Sequence, residues 1–193
     1  MIENYKAYLS IVDKKLAGFF ERSKDYIFCK EGCAFCCIDG EYPYSQLEFA
    51  YLRLGLSRLD AQTQNDILLK AGKILKQKAE FTGETFTHEC PFLIDNRCTV
   101  YAHRGIICRT HGLAFYLKDS DRIKVPNCVY RGLNYSNVYD KETQKLSQEL
   151  FEATGFAHEP VAFNLSLKFM LDNEATKYLE LDFGEQKALI DWF

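Results

Sequence analysis

The stretch CKEGCAFCC, residues 29–37, carries four cysteines within nine residues, two of them adjacent. Four more stand at positions 90, 98, 108 and 128, so the eight thiols fall in two blocks. Thiolates bind zinc or iron when several converge on one point, and ligands close in sequence lose less entropy in converging. Cys29-x3-Cys33-x2-Cys36 has the form of a three-ligand loop, in which Gly32 lets the backbone curl around an ion. Cys36 and Cys37 are neighbours whose side chains are expected to diverge, so they serve two centres or one supports the other. Eight thiols divide into two sets of four, and spacing leaves the membership open.

The competing readings explain less. Cys29, Cys33 and Cys36 have the spacing of one helix face, and free cysteine packs as a small hydrophobe. Core cysteines have no reason to segregate, however, and the last 65 residues contain none. Disulfide staples suit short secreted chains with about 8–10% cysteine, well above the share here. A Cys–His nucleophile pair would leave seven cysteines unexplained. Of the four histidines only His111, three residues after Cys108, has a spacing suited to shared ligation, and the thiols make it unnecessary.

Charged and aromatic neighbours fit a thiolate centre. Arg104 and Arg109 bracket Cys108, where a guanidinium donates hydrogen bonds to sulfur and offsets its charge. Arg97 is balanced between that role and a surface ion pair. Phe28, Phe35 and Phe92 adjoin cysteines and are expected to exclude water.

The elements that must position these residues read as mostly helical. Tyr5, Leu9, Val12, Leu16 and Phe19/Phe20 mark an amphipathic helix of about six turns leading into the first block. Ser45-Gln46-Leu47-Glu48 has the form of a capping box for a helix that stops at Gly55. Ser57-Arg58-Leu59-Asp60 resembles a second cap, for a helix with Ile67/Leu68, Ala71 and Ile74/Leu75 inward that ends before Gly83. Residues 113–126 predict a β-hairpin around Lys118-Asp119-Ser120-Asp121, and residues 90–101 a tighter one around Ile94-Asp95-Asn96-Arg97. Asp140 caps an expected helix from Lys141 to Thr154, with Leu146 and Leu150 inward and Gly155 as its stop. Residues 161–171 fit both periods and are assigned to helix, and residues 182–185 introduce a short terminal helix. The expected fold is mainly α: a single helical domain over 1–193, with an irregular cysteine-rich metal-binding core at about 29–128 and one or two short β-hairpins.

A net charge of −3 gives no reason to expect a nucleic acid or an acidic membrane as partner. No apolar run approaches the ~20 residues of a membrane helix, and the first residues lack the form of a secretory leader. The expected location is cytoplasmic, where thiols stay reduced.

Taken together, CKEGCAFCC, CPFLIDNRCTVYAHRGIICR and Cys128 resemble the YkgJ-like family of cysteine-cluster proteins. The resemblance rests on Cys29, Cys33, Cys36, Cys37, Cys90 to Leu93, Cys98, Val100, Tyr101, Arg104, Cys108 and Arg109. It implies chelation of zinc or iron by Cys29, Cys33, Cys36, Cys37, Cys90, Cys98, Cys108 and Cys128. Gly105 departs from the pattern, which places proline after the arginine; the change would loosen the turn without removing a ligand. A related group, the flagellin lysine methylases, is similar in its cysteine cluster, for which an iron–sulfur centre is implied.

Three functions follow as expectations. The first is an iron–sulfur protein, slightly favoured, whose redox or protein partner the sequence does not name. The second is a zinc-organised interaction module, in which the ion supplies folding energy. This chain has only Cys33-x2-Cys36 of the two knuckles such sites use. The third is a methylase or radical-type enzyme; no paired carboxylates, phosphate loop or nucleotide fingerprint supports a specific reaction, and the absence of alternating strands and helices disfavours the radical form.

Overall fold

The computed structural model describes residues 1–40, 42–117 and 122–193. The first half runs through α1 (Ile2–Arg22), α2 (Phe35–Ile38), β1 (Pro43–Ser45), α3 (Gln46–Leu56) and α4 (Ala61–Glu80). Then come β2 (Leu93–Ile94), β3 (Arg97–Cys98), α5 (Ile106–Thr110), β4 (Phe115–Tyr116) and β5 (Ile123–Lys124). The chain ends through β6 (Tyr139–Asp140), β7 (Lys145–Leu146), α6 (Gln148–Thr154), α7 (Leu167–Leu171), α8 (Glu174–Tyr178) and β8 (Gln186–Ala188). Helix dominates, and the strands pair two by two: β1 with β8, β2 with β3, β4 with β5 and β6 with β7. No helix among the described residues is long and apolar enough to cross a membrane.

The chain forms two compact units. Unit 1 comprises Met1–Tyr5, Glu31–Cys108 and Glu180–Phe193; unit 2 comprises Lys6–Lys30 and Arg109–Leu179. In unit 1 the core gathers Tyr42, Tyr44, Leu52, Ile67, Cys90, Phe92, Leu93, Val100 and Leu189, with Cys37, Cys98 and Cys108 packed against it. In unit 2 Tyr26, Ala114, Val125, Val129, Tyr135, Val138 and Ala162 form the core. There the Tyr26 and Tyr135 rings stack at 5.8 Å, and the Tyr26 hydroxyl donates to the His158 carbonyl at 2.5 Å.

Local chemistry explains the elements of unit 1. Ser45 Oγ accepts the Glu48 N–H at 3.3 Å and Glu48 Oε2 accepts the Ser45 N–H at 2.9 Å, completing the expected capping box of α3. Asp60, rather than Ser57, caps α4 by accepting the Thr63 N–H at 2.9 Å. Ile67, Ala71 and Ile74 of α4 face inward as expected, but Leu68 is 54% exposed. The β2–β3 hairpin turns on Asp95 (φ 50°) and Asn96 (φ 57°), the residue types that tolerate the left-handed conformation a two-residue hairpin loop needs.

Unit 2 corrects several expectations. The hairpin expected over 113–126 is present as β4 and β5, while its polar turn at 118–121 lies outside the described residues. Asp140 does not cap a helix over 141–154. Its carboxylate takes the N–H groups of Glu142 (2.8 Å) and Thr143 (3.4 Å) inside a turn joining β6 to β7. Gln144 at φ 55° reverses the chain there, so helix begins only at α6, capped by Ser147. Gly155 stops α6 at φ 70°, as expected, but Leu150 is exposed. Residues 161–165 are not helical: Phe163 bridges to Phe115 in parallel, and α7 starts after the Ser166 cap. In unit 1, the helix expected after 182–185 is instead β8 followed by a 3-10 turn, Leu189–Trp192.

Glu48 links two parts of unit 1. Besides closing the capping box, its Oε1 accepts the Ile106 N–H at 2.9 Å, which fixes the start of α5. Burial raises its carboxyl pKa, partly opposed by the bonds from Ser45 and Ile106. Because the folded pKa lies above the unfolded one, the stability this confers is full below the ordinary glutamate range and is lost as pH rises through the folded pKa. Glu48→Gln, which cannot ionise, is expected to flatten that slope in urea unfolding measured across pH. Glu48→Ala is expected to cost about 1–3 kcal/mol by leaving the Ser45 and Ile106 N–H groups unpaired.

Candidate metal centre

Six of the eight cysteines lie in unit 1: Cys33, Cys36, Cys37, Cys90, Cys98 and Cys108. The backbone brings the two sequence blocks together. The Cys90 N–H donates to the Cys37 carbonyl at 2.7 Å, and Gly40 and His88 exchange N–H···O=C bonds at 3.2 and 3.3 Å. Cys36 and Cys37 sit on α2, Cys98 on β3 and Cys108 on α5. Gly32 adopts φ +82°, so the loop between Cys29 and Cys33 does curl through the left-handed region.

Five of these thiols share one electrostatic neighbourhood. The Cys108 thiol is pushed up to about 12 by burial and by the charges of Cys98 and Cys36. Cys90 is likewise pushed up to about 12, by burial and then by Cys108 and Cys98. Burial raises Cys98, with Cys36 adding to the rise. Cys36 is raised first by its contact with Cys37, at an Sγ···Sγ distance of 3.8 Å, and then by burial. The Tyr42 phenol, raised by burial, feels the charges of Cys36, Cys37, Cys108 and Cys90 together. Adjacent Cys36 and Cys37 therefore do not diverge as expected, since their sulfurs stand side by side.

This donor set suits a soft cation. Thiolates crowded at the edge of a core repel one another and are poorly solvated, which keeps them protonated; a metal ion or cluster replaces the protons and removes that cost. Among the described residues, no three His, Cys, Asp or Glu side chains stand at the mutual spacing of a formed metal site. The sulfurs are gathered but not clenched.

The neighbours sort unevenly against expectation. The charge of Arg104 favours the thiolates of Cys36, Cys98 and Cys108, and its guanidinium lies 3.7 Å from the Tyr101 ring centroid. Arg97 pairs with Glu31 at 2.9 Å on an open surface, which is the surface ion pair rather than support for sulfur. In unit 2, Arg109 Nη1 donates to both oxygens of Asp13, at 2.8 and 2.7 Å. Phe92 is 1% exposed and screens the core, whereas Phe35 (43%) and Phe28 (42%) stand open and do not exclude water as expected.

Cys29 and Cys128 lie in unit 2. The fully buried Asn134 donates through Nδ2 to Cys29 Sγ at 3.2 Å and to the Gly112 carbonyl at 3.1 Å, while its Oδ1 accepts the Phe28 N–H at 2.7 Å. Cys128 sits in a 3-10 turn, Asn127–Arg131, and its carbonyl accepts the Leu133 N–H. His111 is also in unit 2.

A family model described as "CxxCxxCC: putative zinc- or iron-chelating domain" matches residues 28–129, more than half of the chain. The chain belongs to the CxxCxxCC family. No curated protein and no solved structure matches it. The matched span contains all eight cysteines, which supports cysteine-ligated metal binding for this CxxCxxCC protein.

Sequence reasoning missed the tyrosines. Tyr42 and Tyr44 follow the first block two residues apart, an alternation that a strand such as β1 uses to set successive side chains, and this was the available signal. The Gly105 N–H donates to the Tyr44 hydroxyl at 2.9 Å. A Cβ at Gly105 would come within 2.8 Å of the Tyr44 ring and 2.9 Å of Glu48 Oε1. Glycine at this position therefore pins the turn instead of loosening it. Gly105→Pro, which restores the usual residue of the resembled pattern, is expected to cost about 1–3 kcal/mol in urea unfolding, because the donor is lost and the ring is displaced.

Proposed function

We propose that the protein holds an iron–sulfur cluster in unit 1 on thiolates drawn from Cys36, Cys37, Cys90, Cys98 and Cys108. The observation that carries this reading is that cysteines from four separate segments gather at one core around Tyr42, joined by the Cys90 to Cys37 backbone bond. An iron–sulfur cluster spreads its ligands over several iron atoms and so accepts donors from elements that do not touch sulfur to sulfur. Such a group would supply one-electron chemistry or structural cross-linking. The chain's own contribution is to pack Cys37, Cys90, Cys98 and Cys108 at a core that holds Phe92 and Val100 and to offset sulfur charge with Arg104.

One observation favours a second reading, a single zinc ion. At a Zn–S length of about 2.3 Å, tetrahedral geometry sets sulfurs about 3.8 Å apart. Cys36 and Cys37 already stand at 3.8 Å. Under this reading two of Cys90, Cys98 and Cys108 complete the coordination, and the ion stabilises the fold without turnover.

Protein purified without oxygen is expected to be brown, with iron and acid-labile sulfide in similar amounts. Colourless protein with about one zinc per chain selects the second reading, and protein without either metal contradicts both. Cys98→Ser combined with Cys108→Ser is expected to remove most of the metal, whereas Arg97→Ala, on the open surface, leaves it unchanged.

A further inference from the structure

The phenol of Tyr44 touches sulfur. Its oxygen lies 3.2 Å from Cys108 Sγ and, on its other side, 2.9 Å from the Gly105 amide nitrogen. The amide has a proton and no lone pair to offer, so the Tyr44 oxygen must accept from Gly105. The phenol's own proton is then free to point at Cys108, and once that sulfur is a thiolate it has no proton to give, so the contact becomes an O–H···S bond with sulfur as acceptor.

The surroundings hold this arrangement in place. Tyr44 is 1% exposed, so no bulk water competes for its hydroxyl. Its backbone is locked in β1 against β8, opposite Lys187, and its carbonyl accepts the Trp192 indole N–H at 3.1 Å. The Gly105 amide that orients the hydroxyl sits one residue before α5, whose first N–H is held by Glu48. The absence of a side chain at Gly105 is what admits the Tyr44 ring this close. Tyr44 alone of these residues touches the sulfur of Cys108, and Gly105 and Glu48 hold the backbone around that contact.

Resting on the metal-centre reading above, we infer that Tyr44 is a positioning residue for that centre: its hydroxyl, oriented by the Gly105 amide, donates a hydrogen bond to Cys108 sulfur and makes this thiolate a less electron-rich ligand than its partners. A hydrogen bond to a ligating sulfur lowers the energy of its lone pairs. Excitation from sulfur to metal then costs more, and the sulfur is held in the direction the donor sets. This role differs from that of Arg104, whose charge acts on Cys36, Cys98 and Cys108 together.

The test uses the full chain, stripped of metal and loaded anaerobically with Co2+, whose thiolate charge-transfer bands report on sulfur directly. Wild type is expected to show these bands. Tyr44→Phe is expected to keep cobalt but move a band to longer wavelength and to bind about 10-fold or more weakly in chelator competition. Site-specific Tyr44→3-fluorotyrosine, a stronger donor of the same shape, is expected to move the same band to shorter wavelength, and it decides the matter if Tyr44→Phe does not fold. Opposite shifts in the two variants are beyond a packing role. Bands unchanged in a folded Tyr44→Phe, or in the fluorotyrosine variant, overturn the role of Tyr44 and leave the metal centre standing. Wild type without thiolate bands overturns the Tyr44 role, while iron and sulfide in anaerobically purified protein decide the metal-centre reading separately.

Discussion

The seam between the two cysteine blocks is the constraint on which unit 1 depends. The Cys90 amide donates to the Cys37 carbonyl, and Gly40 and His88 form an antiparallel bridge beside it. These are ordinary backbone bonds, but they join segments some fifty residues apart in sequence. They set Cys37 beside Cys90 at the core against which Cys98 and Cys108 also pack. The long helix α4 and the hairpin β2–β3 serve the same end: one carries the chain away from the first block, and the other returns Cys98 beside Leu93.

A seam that gathers thiols also concentrates a cost. Each buried sulfur resists ionisation, and each thiolate formed raises the cost of the next. The fold meets this with Arg104, with the Tyr44 hydroxyl and with apolar packing that suits neutral thiols. Neutral thiols are compatible with the core as it stands, so the fold does not need charge there. A thiophilic cation converts the same arrangement into a site, because it stabilises every thiolate at once. That is the physical sense in which cysteine crowding inside a core points to chelation.

Much of this was legible in the sequence where the signal is local. The Ser45–Glu48 capping box, the Asp95-Asn96 turn and the α1 stripe each depend on residues a few positions apart, and each formed as read. The family was legible too, because cysteine spacing is itself local. What failed was either ambiguous or distant. Asp140 offers its carboxylate to following amides in a turn as readily as at a helix start, and only Gln144 at positive φ separates the two outcomes. The pairing of β1 with β8 spans about 140 residues and leaves no pattern in either short strand. Tyr44 could be found only after that pairing, since its contact with Cys108 depends on where β1 lies.

The central claim is that sulfur, and not nitrogen or oxygen, surrounds the inorganic group the protein holds. X-ray absorption at the edge of the metal retained by anaerobically purified protein measures this directly. The account predicts a first shell made of sulfur at about 2.3 Å. A shell of nitrogen and oxygen at about 2.0–2.2 Å would contradict it.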